Sequence, residues 1–254
     1  MKLMIRGSIN TLIPWLIPLI LLVGWQVFSW VGVIPERILP APTKVLQAGM
    51  ELLSTGELVS HVSISLGRAL AGFLIGGVIG FLFGLLNGIF RISELLFDTS
   101  IQMLRNIPHL ALIPLVILWF GIGETSKIFL VALGVLFPIY INTYHGIKSV
   151  DKGLVEMGRA YGLKRTTLFF TVILPGAMSS ILVGIRFSLG VMWLTLIVSE
   201  TISAHTGIGY MAMNAREFMQ MDVIVLSILL YALFGKLSDV IAKHLEGKLL
   251  QWNT

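Results

Sequence analysis

Long apolar runs that contain almost no charged residue are the feature that most constrains this chain. They lie at about 13–34, 69–90, 106–123, 128–147 and 168–199. Arg186 interrupts the last run, and a shorter sixth segment at 223–235 continues as an amphipathic helix. About 20 helical residues cross a hydrocarbon core of ~30 Å, so each run has the length of a membrane helix. The sequence therefore predicts an all-α polytopic membrane protein with about six transmembrane helices.

The composition supports a membrane protein with a single domain. Charged residues make up 12% of the chain, whereas soluble domains contain about 25%. No linker, low-complexity tract or internal repeat divides the sequence, so we expect one transmembrane domain over 1–254. The first apolar run is too long for a signal peptide and no small-x-small site follows it, which favours a retained helix. The absence of cysteine excludes disulfides and thiolate metal sites.

The distribution of basic residues predicts the orientation in the membrane. With the N-terminus in the cytoplasm, 11 of the 18 Lys and Arg residues lie on the cytoplasmic side. The four on the outer side are Arg37, Lys44, Lys127 and Arg216. This bias favours an even number of spans with both termini in the cytoplasm of a multi-pass inner-membrane protein. The net charge of +5 then reflects topology, and we expect no nucleic-acid partner.

A short segment of mixed charge, 151–165, lies between two of the predicted spans. Glu156 and Gly162 are followed by nine residues and then by Val172-Ile-Leu-Pro175. This segment resembles the EAA loop of ABC-transporter permeases, whose pattern is Glu-Ala-Ala, three residues, Gly, nine residues and Ile-x-Leu-Pro. Met157 and Gly158 stand where that pattern has alanines, and Val172 replaces isoleucine.

The resemblance implies a role in coupling to ATP hydrolysis. In this family the loop, here about 149–167, is a short cytoplasmic helix that docks into a groove on a separate ATPase subunit. The chain would thus be a non-catalytic permease with the type I ABC importer fold. Its partners would be two ATPase subunits, a second copy of the permease and an extracytoplasmic solute-binding protein. ATP and Mg would bind the ATPase, and this chain would bind no cofactor. The residues expected to serve coupling are Glu156, Gly158, Arg159, Ala160, Gly162, Leu163 and Pro175.

Five glycines recur every fourth residue in the second span, from Gly72 to Gly88. Small residues at this spacing line one helix face and let another backbone approach closely. The stripe favours a close helix–helix contact, with a hinge as the alternative. In the connector before it, Thr43 is a candidate N-cap for a short interfacial helix in which Val45, Leu46, Met50 and Leu53 share a face. An ordinary connector is the other interpretation.

The third span contains the group Arg105, Asn106, Pro108 and His109, one to two turns inside the membrane from its cytoplasmic end. Pro108 and Pro114 remove backbone donors and disrupt the helix. Transporters place binding sites at such broken helices, and an intramembrane cation is a candidate pathway residue. Arg105 could instead extend to the headgroups while the prolines only bend the helix.

The fifth span contains further candidate pathway residues: Arg186, Thr195, Ser199 and Glu200. Arg186 lies near the middle of the run, so it needs a partner such as Glu200, a substrate anion or a carboxylate of a neighbouring subunit. The spans contain no cluster of carboxylates, so their positive charges favour an anionic cargo. The segment 200–220 that follows, with Gly207, Asn214 and Arg216, is expected to face outward as part of the gate and docking surface.

Sequence motifs give no support to an enzyme. The chain has no H-E-x-x-H, no G-x-S-x-G and no P-loop motif. Its five histidines are scattered singly, so we expect no metal site. An ion-coupled secondary transporter is a further alternative, but it would need carboxylate or histidine relays in the spans and an inverted repeat. Neither is visible in the sequence.

The resemblance extends along nearly the whole chain to permeases that import aliphatic sulfonates. The stretches that carry it are 98–121, 192–203 and 207–216. Relatives for taurine, nitrate and bicarbonate belong to the same group, and they remain alternatives for the cargo. The resemblance implies import by alternating access, in which the loop helix transmits the motion of the ATPase to the spans.

Overall fold

The computed structural model describes residues 2–250, and within that range it does not describe the side chains of residues 2–15, 109, 110 and 203. The described part is almost entirely helical and contains no β-strand. Its α-helices are α1 (Lys2–Trp30), α2 (Pro42–Ser54), α3 (Glu57–Ile89), α4 (Arg91–Arg105), α5 (Ile113–Phe120), α6 (Glu124–Lys148), α7 (Lys152–Ala160), α8 (Arg165–Leu168), α9 (Leu174–Ser203), α10 (Ile208–Glu217) and α11 (Met221–Leu249). A 3₁₀ turn (His109–Leu112) precedes α5, and a π-helical turn (Phe169–Ile173) joins α8 to α9.

The helices confirm the all-α polytopic architecture. Four are long and apolar enough to cross a membrane: Glu57–Ile89, Glu124–Lys148, Arg165–Ile202 and Met221–Leu249. Among the described side chains, a shorter apolar helix covers Leu16–Trp30. The sixth predicted segment, 223–235, is therefore the apolar part of a much longer helix, α11.

The third span differs from its predicted position because charged residues belong to it. Helix α4 runs antiparallel to α6: Asp98 accepts a hydrogen bond from Tyr140 Oη (2.6 Å), and Glu94 binds Lys148 (2.6 Å). Helix α5 continues along α6 towards its beginning, where the rings of Phe120 and Phe129 are 5.0 Å apart. The segment 91–120 thus lies beside α6 as two consecutive helices, α4 and α5, whereas the sequence predicted a span at 106–123. The charged side chains of α4 kept the first half of this segment out of the apolar run.

The predicted break in this span is confirmed, although only one of the two prolines causes it. Helix α4 ends at Arg105, and Pro108 lies between it and the 3₁₀ turn. Pro114 instead occupies the first turn of α5. A missing backbone donor is tolerated there because that N–H has no helical acceptor. Pro114 therefore starts a helix instead of breaking one.

The glycine stripe of α3 packs directly against α6, which confirms the predicted close contact. A Cβ atom at Gly76 or Gly80 would collide with the backbone carbonyl of Ala132 or Leu136 on α6. At Gly84 it would lie 2.6 Å from the Cβ of Thr143. The two backbones approach so closely that no side chain fits between them.

The described residues of 1–61 and 211–230 form one compact unit, and those of 62–210 and 231–250 form another. In the first, α2 begins at Pro42 after Ala41, and no side chain caps it. The predicted N-cap, Thr43, is wrong because it lies inside the first turn, where its backbone N–H donates to Gln26 Oε1 (3.3 Å). Val45 is buried, whereas Leu46, Met50 and Leu53 of the same predicted face are 65%, 65% and 55% exposed. Val45 therefore does not belong to the apolar face that the other three share.

Candidate functional site

The charged loop folds into the helix α7, which has well-defined ends. Asp151 precedes it, and its Oδ1 accepts a hydrogen bond from the backbone N–H of Gly153 (2.7 Å). An aspartate here satisfies one of the backbone donors that every helix N-terminus leaves free. Arg159 lies in the last turn, where a positive charge interacts favourably with the helix dipole.

Gly162 ends α7 through a left-handed conformation. Its φ is +76°, its N–H donates to the carbonyl of Arg159 (2.9 Å), and the N–H of Leu163 donates to the carbonyl of Gly158 (3.1 Å). This pair of bonds is a Schellman cap, which favours glycine at the left-handed position. No atom lies within 4 Å of a Cβ placed on Gly162. The glycine is therefore required by backbone conformation and not by a close approach.

The exposed surface of α7 combines apolar and unpaired charged side chains. Leu154, Met157 and Tyr161 are 47%, 49% and 81% exposed, and they border an open cavity of about 590 Å³. Glu156 and Arg159 are exposed as well, and neither has a hydrogen bond or ion pair with any side chain that the structure describes. We call the surface formed by these five residues the α7 surface. Free charges around apolar side chains are typical of a surface that binds another protein.

The remaining coupling residues differ in their surroundings. Gly158 is buried, and a Cβ there would lie 2.5 Å from Cδ1 of Leu168. Ala160 and Leu163 are exposed.

Pro175 explains the irregular helix that joins α7 to the following span. It lies in the first turn of α9, directly after the π-helical turn Phe169–Ile173. Proline cannot donate a backbone hydrogen bond, and a continuous α-helix would leave a carbonyl of the preceding turn unpaired. The π turn changes the register, because the N–H of Leu174 bonds to the carbonyl of Phe169. Such π bulges recur at functional positions of helices.

Arg105 is the last residue of α4 and lies beside α6 and α9. It lines a cavity whose α6 residues run from Gly134 to Asn142 and which also includes Val191 of α9. Its depth of one to two turns inside the membrane stays a prediction. Arg105 is exposed, and it has no hydrogen bond or ion pair with the described side chains.

The other candidates at the break and in α9 do not gather around Arg105. Asn106 and Pro108 are exposed at the break, and the side chain of His109 lies outside the described residues. Thr195 Oγ1 donates to the carbonyl of Val191 in its own helix (2.9 Å). Thr195 and Ser199 line a separate cavity of about 320 Å³.

Arg186 is paired with carboxylates of α11 and not with Glu200. Its Nε lies 2.7 Å from Asp239 Oδ1, and its Nη1 lies 3.8 Å from Glu246 Oε2. The suggested pairing of Arg186 with Glu200 is therefore wrong, since both groups are engaged elsewhere. The pairing supports a structural interpretation of Arg186.

Glu200 is the centre of a buried polar network that sequence reasoning missed. Its carboxylate is inaccessible to solvent and accepts hydrogen bonds from four donors: Ser65 Oγ (2.8 Å), Arg68 Nη1 (2.7 Å), the backbone N of Gly209 (2.9 Å) and Tyr231 Oη (3.0 Å). A buried charge is tolerated only when it is paired and hydrogen-bonded in this way. The network ties together α3, α9, α10 and α11.

Arg68 extends the same network to the start of α6. It donates from Nε and Nη2 to the carboxylate of Glu124 (2.5 and 2.6 Å) and from Nη1 to the carbonyl of Thr206 (2.6 Å). Lys127 also binds Glu124 (3.2 Å). The expectation that the buried charges of the spans are all positive was wrong, because Glu200 is buried too. The signal in the sequence was Arg68 itself: a single arginine among the apolar residues of the second span needs a carboxylate partner.

Comparison with known proteins identifies the family. Residues 72–251 match the family described as the inner membrane component of binding-protein-dependent transport systems. A protein of Escherichia coli (strain K12) assigned as an aliphatic sulfonates transport permease, SsuC, is 62% identical over 94% of this chain and 91% of its own length. A protein of Bacillus subtilis (strain 168) with the same assignment is 46% identical over 93% of this chain and 86% of its own.

The fold of a solved transporter is similar as well. A chain in the crystal structure of an amino acid ABC transporter with histidines aligns with a TM-score of 0.60 at 19% identity. The alignment covers 77% of this chain and 97% of that one. The alignment shows that the two chains share an overall fold. Taken with the family match, these findings show that the chain belongs to the inner membrane permease components of binding-protein-dependent ABC transport systems.

Proposed function

We propose that this chain is the permease subunit of an ATP-driven importer of aliphatic sulfonates. The observation that supports aliphatic sulfonates as the cargo is the 62% identity to a relative assigned to their transport, over nearly the full length of both chains. Taurine, nitrate and bicarbonate are the alternative cargoes in the same group.

The α7 surface would be the contact with the ATPase. Its apolar residues, Leu154, Met157 and Tyr161, are 47%, 49% and 81% exposed, and its ends are fixed by Asp151 and by the cap at Gly162. A helix held rigidly at both ends can transmit a displacement, whereas a flexible loop would absorb it. The connection through the π turn and Pro175 would pass that displacement to α9.

The complete transporter would contain two copies of this chain, two ATPase subunits and a solute-binding protein on the outer side. The excess of Lys and Arg, 11 against 4, supports an orientation in which α7 and both termini are cytoplasmic. ATP binding would close the ATPase pair and open the permease outward to receive the cargo. Hydrolysis would return the permease to the inward-open state.

A competition panel tests the cargo. Proteoliposomes with the complete complex are given labelled hexanesulfonate and a tenfold excess of unlabelled taurine, nitrate, bicarbonate or butanesulfonate. We expect butanesulfonate to suppress uptake and the inorganic anions to leave it unchanged. Suppression by nitrate or taurine alone would assign the cargo to that relative. The loaded binding protein is titrated in the same assay, because it also selects the cargo.

A further inference from the structure

A cavity beside α6 is lined by residues for which coupling to the ATPase gives no reason. Its volume is about 280 Å³, close to the lower limit of roughly 300 Å³ for small-molecule sites. Its walls include Arg105 of α4, Gly134, Phe137 and Asn142 of α6, and Phe187 and Val191 of α9. We call it the Arg105 cavity.

The position of this cavity fits a transport site. It lies next to the break after Arg105 and beside α6, a helix that runs from Glu124 to Lys148 and is long enough to cross the membrane. Its α6 residues run from Gly134, near the midpoint of the helix, to Asn142 in the half that ends at Lys148. Transporters bind cargo near the bilayer midplane, at the ends of broken helices.

The charge of the cavity is positive and uncompensated. Arg105 has no ion pair with the described side chains, whereas Arg68 and Arg186 are each paired with carboxylates. None of the residues that line the cavity is acidic. A guanidinium at this depth is costly unless water or an anion accompanies it. The cavity therefore favours an anionic group beside Arg105.

The rest of the lining is apolar, with a small polar patch. Phe137, Phe187 and Val191 supply the apolar walls. Asn142 donates one amide hydrogen to the carbonyl of Pro138 (2.8 Å), which leaves its second N–H for a ligand. Pro138 has no N–H, so the carbonyl of Gly134 lacks its helical donor as well. A ligand with an anionic head and a short alkyl chain matches these walls better than an inorganic anion does.

We infer that the Arg105 cavity binds the alkanesulfonate during its passage through the membrane. The sulfonate group bonds to Arg105 and Asn142, and the alkyl chain lies against Phe187 and Val191. This inference rests on the proposed sulfonate cargo. Binding here is weak, because a site that holds its cargo tightly cannot release it. The apolar wall makes longer chains bind better, by roughly fourfold for each methylene that becomes buried.

Cysteine chemistry tests the inference directly, because the native chain contains no cysteine. Val191→Cys is introduced into the complete complex in nanodiscs. It is labelled with a negatively charged sulfonatoethyl methanethiosulfonate or with the cationic trimethylammonium analogue, and labelling of this chain is followed by mass spectrometry. We expect hexanesulfonate to slow labelling more than ethanesulfonate does. We also expect Arg105→Gln to lower the ratio of anionic to cationic labelling rates about tenfold, the loss of one charge-assisted hydrogen bond.

Two further variants make the result specific. Arg105→Lys keeps the charge, so it should retain most of the labelling ratio even if it loses affinity. Arg91→Gln removes the same charge from the other end of α4, away from the cavity, and should leave the ratio unchanged. Equal ratios in Arg105→Gln and the parent would overturn the inference, and so would protection that does not depend on chain length.

Uptake of hexanesulfonate by the same preparations separates this inference from the proposed function. If the parent complex takes up hexanesulfonate but the labelling ratio is the same with and without Arg105, only the assignment of the cavity is contradicted. If the parent complex takes up no alkanesulfonate at all, the proposed cargo is contradicted, and so is the proposed ligand of this cavity.

Discussion

At the scale of single residues, the buried pair of Glu200 and Arg68 is the part of this molecule with the least tolerance for change. Both side chains are almost fully buried, and the four donors to the Glu200 carboxylate come from three other helices, α3, α10 and α11. Removing one partner of a buried ion pair leaves the other charge uncompensated, which costs about 3–5 kcal/mol. Replacing both partners removes that penalty. The two residues therefore have to be altered together as well as singly.

We predict that Glu200→Leu or Arg68→Leu alone lowers the yield and thermal stability of detergent-solubilised protein strongly. The double variant should recover part of the loss, since it buries no unpaired charge. Fluorescence-detected size-exclusion chromatography after heating measures this for all four proteins. A double variant less stable than either single variant would show that the remaining polar groups, and not the ion pair, dominate the network.

Gly162 provides a second prediction at this scale. Its φ of +76° makes alanine unfavourable by about 1–2 kcal/mol, so we expect Gly162→Ala to loosen the end of α7 and to weaken ATPase association and uptake. Gly162→Asn should be milder, because asparagine tolerates the left-handed region. Gly190→Ala is the matched control, since it lies in the helix α9 with open space around it.

Substrate-stimulated ATPase activity of the reconstituted complex measures the effect of these changes. Normal coupling in the Gly162→Ala complex, accompanied only by a small loss of stability, would mean that the glycine is a helix cap with no role in coupling.

At the scale of elements, the contact between α3 and α6 depends on glycine at chosen positions. We predict that Gly76→Ala, which forces a Cβ against the backbone of Ala132, destabilises the protein by about 1–3 kcal/mol or more. Gly67→Ala in the same helix meets no atom within 4 Å and should be neutral or slightly stabilising. Thermal unfolding of both variants in one detergent gives the comparison. Equal stability of the two would contradict the close packing of these helices.

Some helix contacts could be predicted from the sequence and others could not, and the reason is physical in both cases. The glycine stripe and the break at Pro108 were predictable because spacing and missing donors act locally. The extent of the third span was not, because Glu94 and Asp98 reach hydrogen-bond donors on α6 that lie more than 40 residues away in the chain. The network of Glu200 was missed for the same reason, since Ser65 is 135 residues from it.

At the scale of the whole molecule, the orientation drawn from the basic residues remains a prediction. It requires the segment 200–220 outside and Ser149, just before α7, inside. Single cysteines at Asn214 and Ser149 can be labelled in intact cells with a membrane-impermeant maleimide, without background from this cysteine-free chain. We expect labelling of the first and not the second. The reverse pattern would overturn the orientation.

The energy source of transport is the other property of the whole molecule. The α7 surface and the family of this chain both indicate dependence on a separate ATPase. A transporter that works alone would instead use ion gradients, with ionisable relays inside its spans. Here three carboxylates, Glu94, Asp98 and Glu200, accept hydrogen bonds from other helices of the same chain. They are thus occupied in holding helices together.

ATP-dependent uptake of hexanesulfonate into proteoliposomes tests the central claim most directly. The vesicles contain this chain, its ATPase and the loaded binding protein, with matched vesicles that lack ATP, the binding protein or the ATPase. We predict uptake only when all three are present, and its loss when Gly162→Ala weakens the contact of α7. Uptake driven by a proton or sodium gradient in vesicles that contain this chain alone would contradict the account.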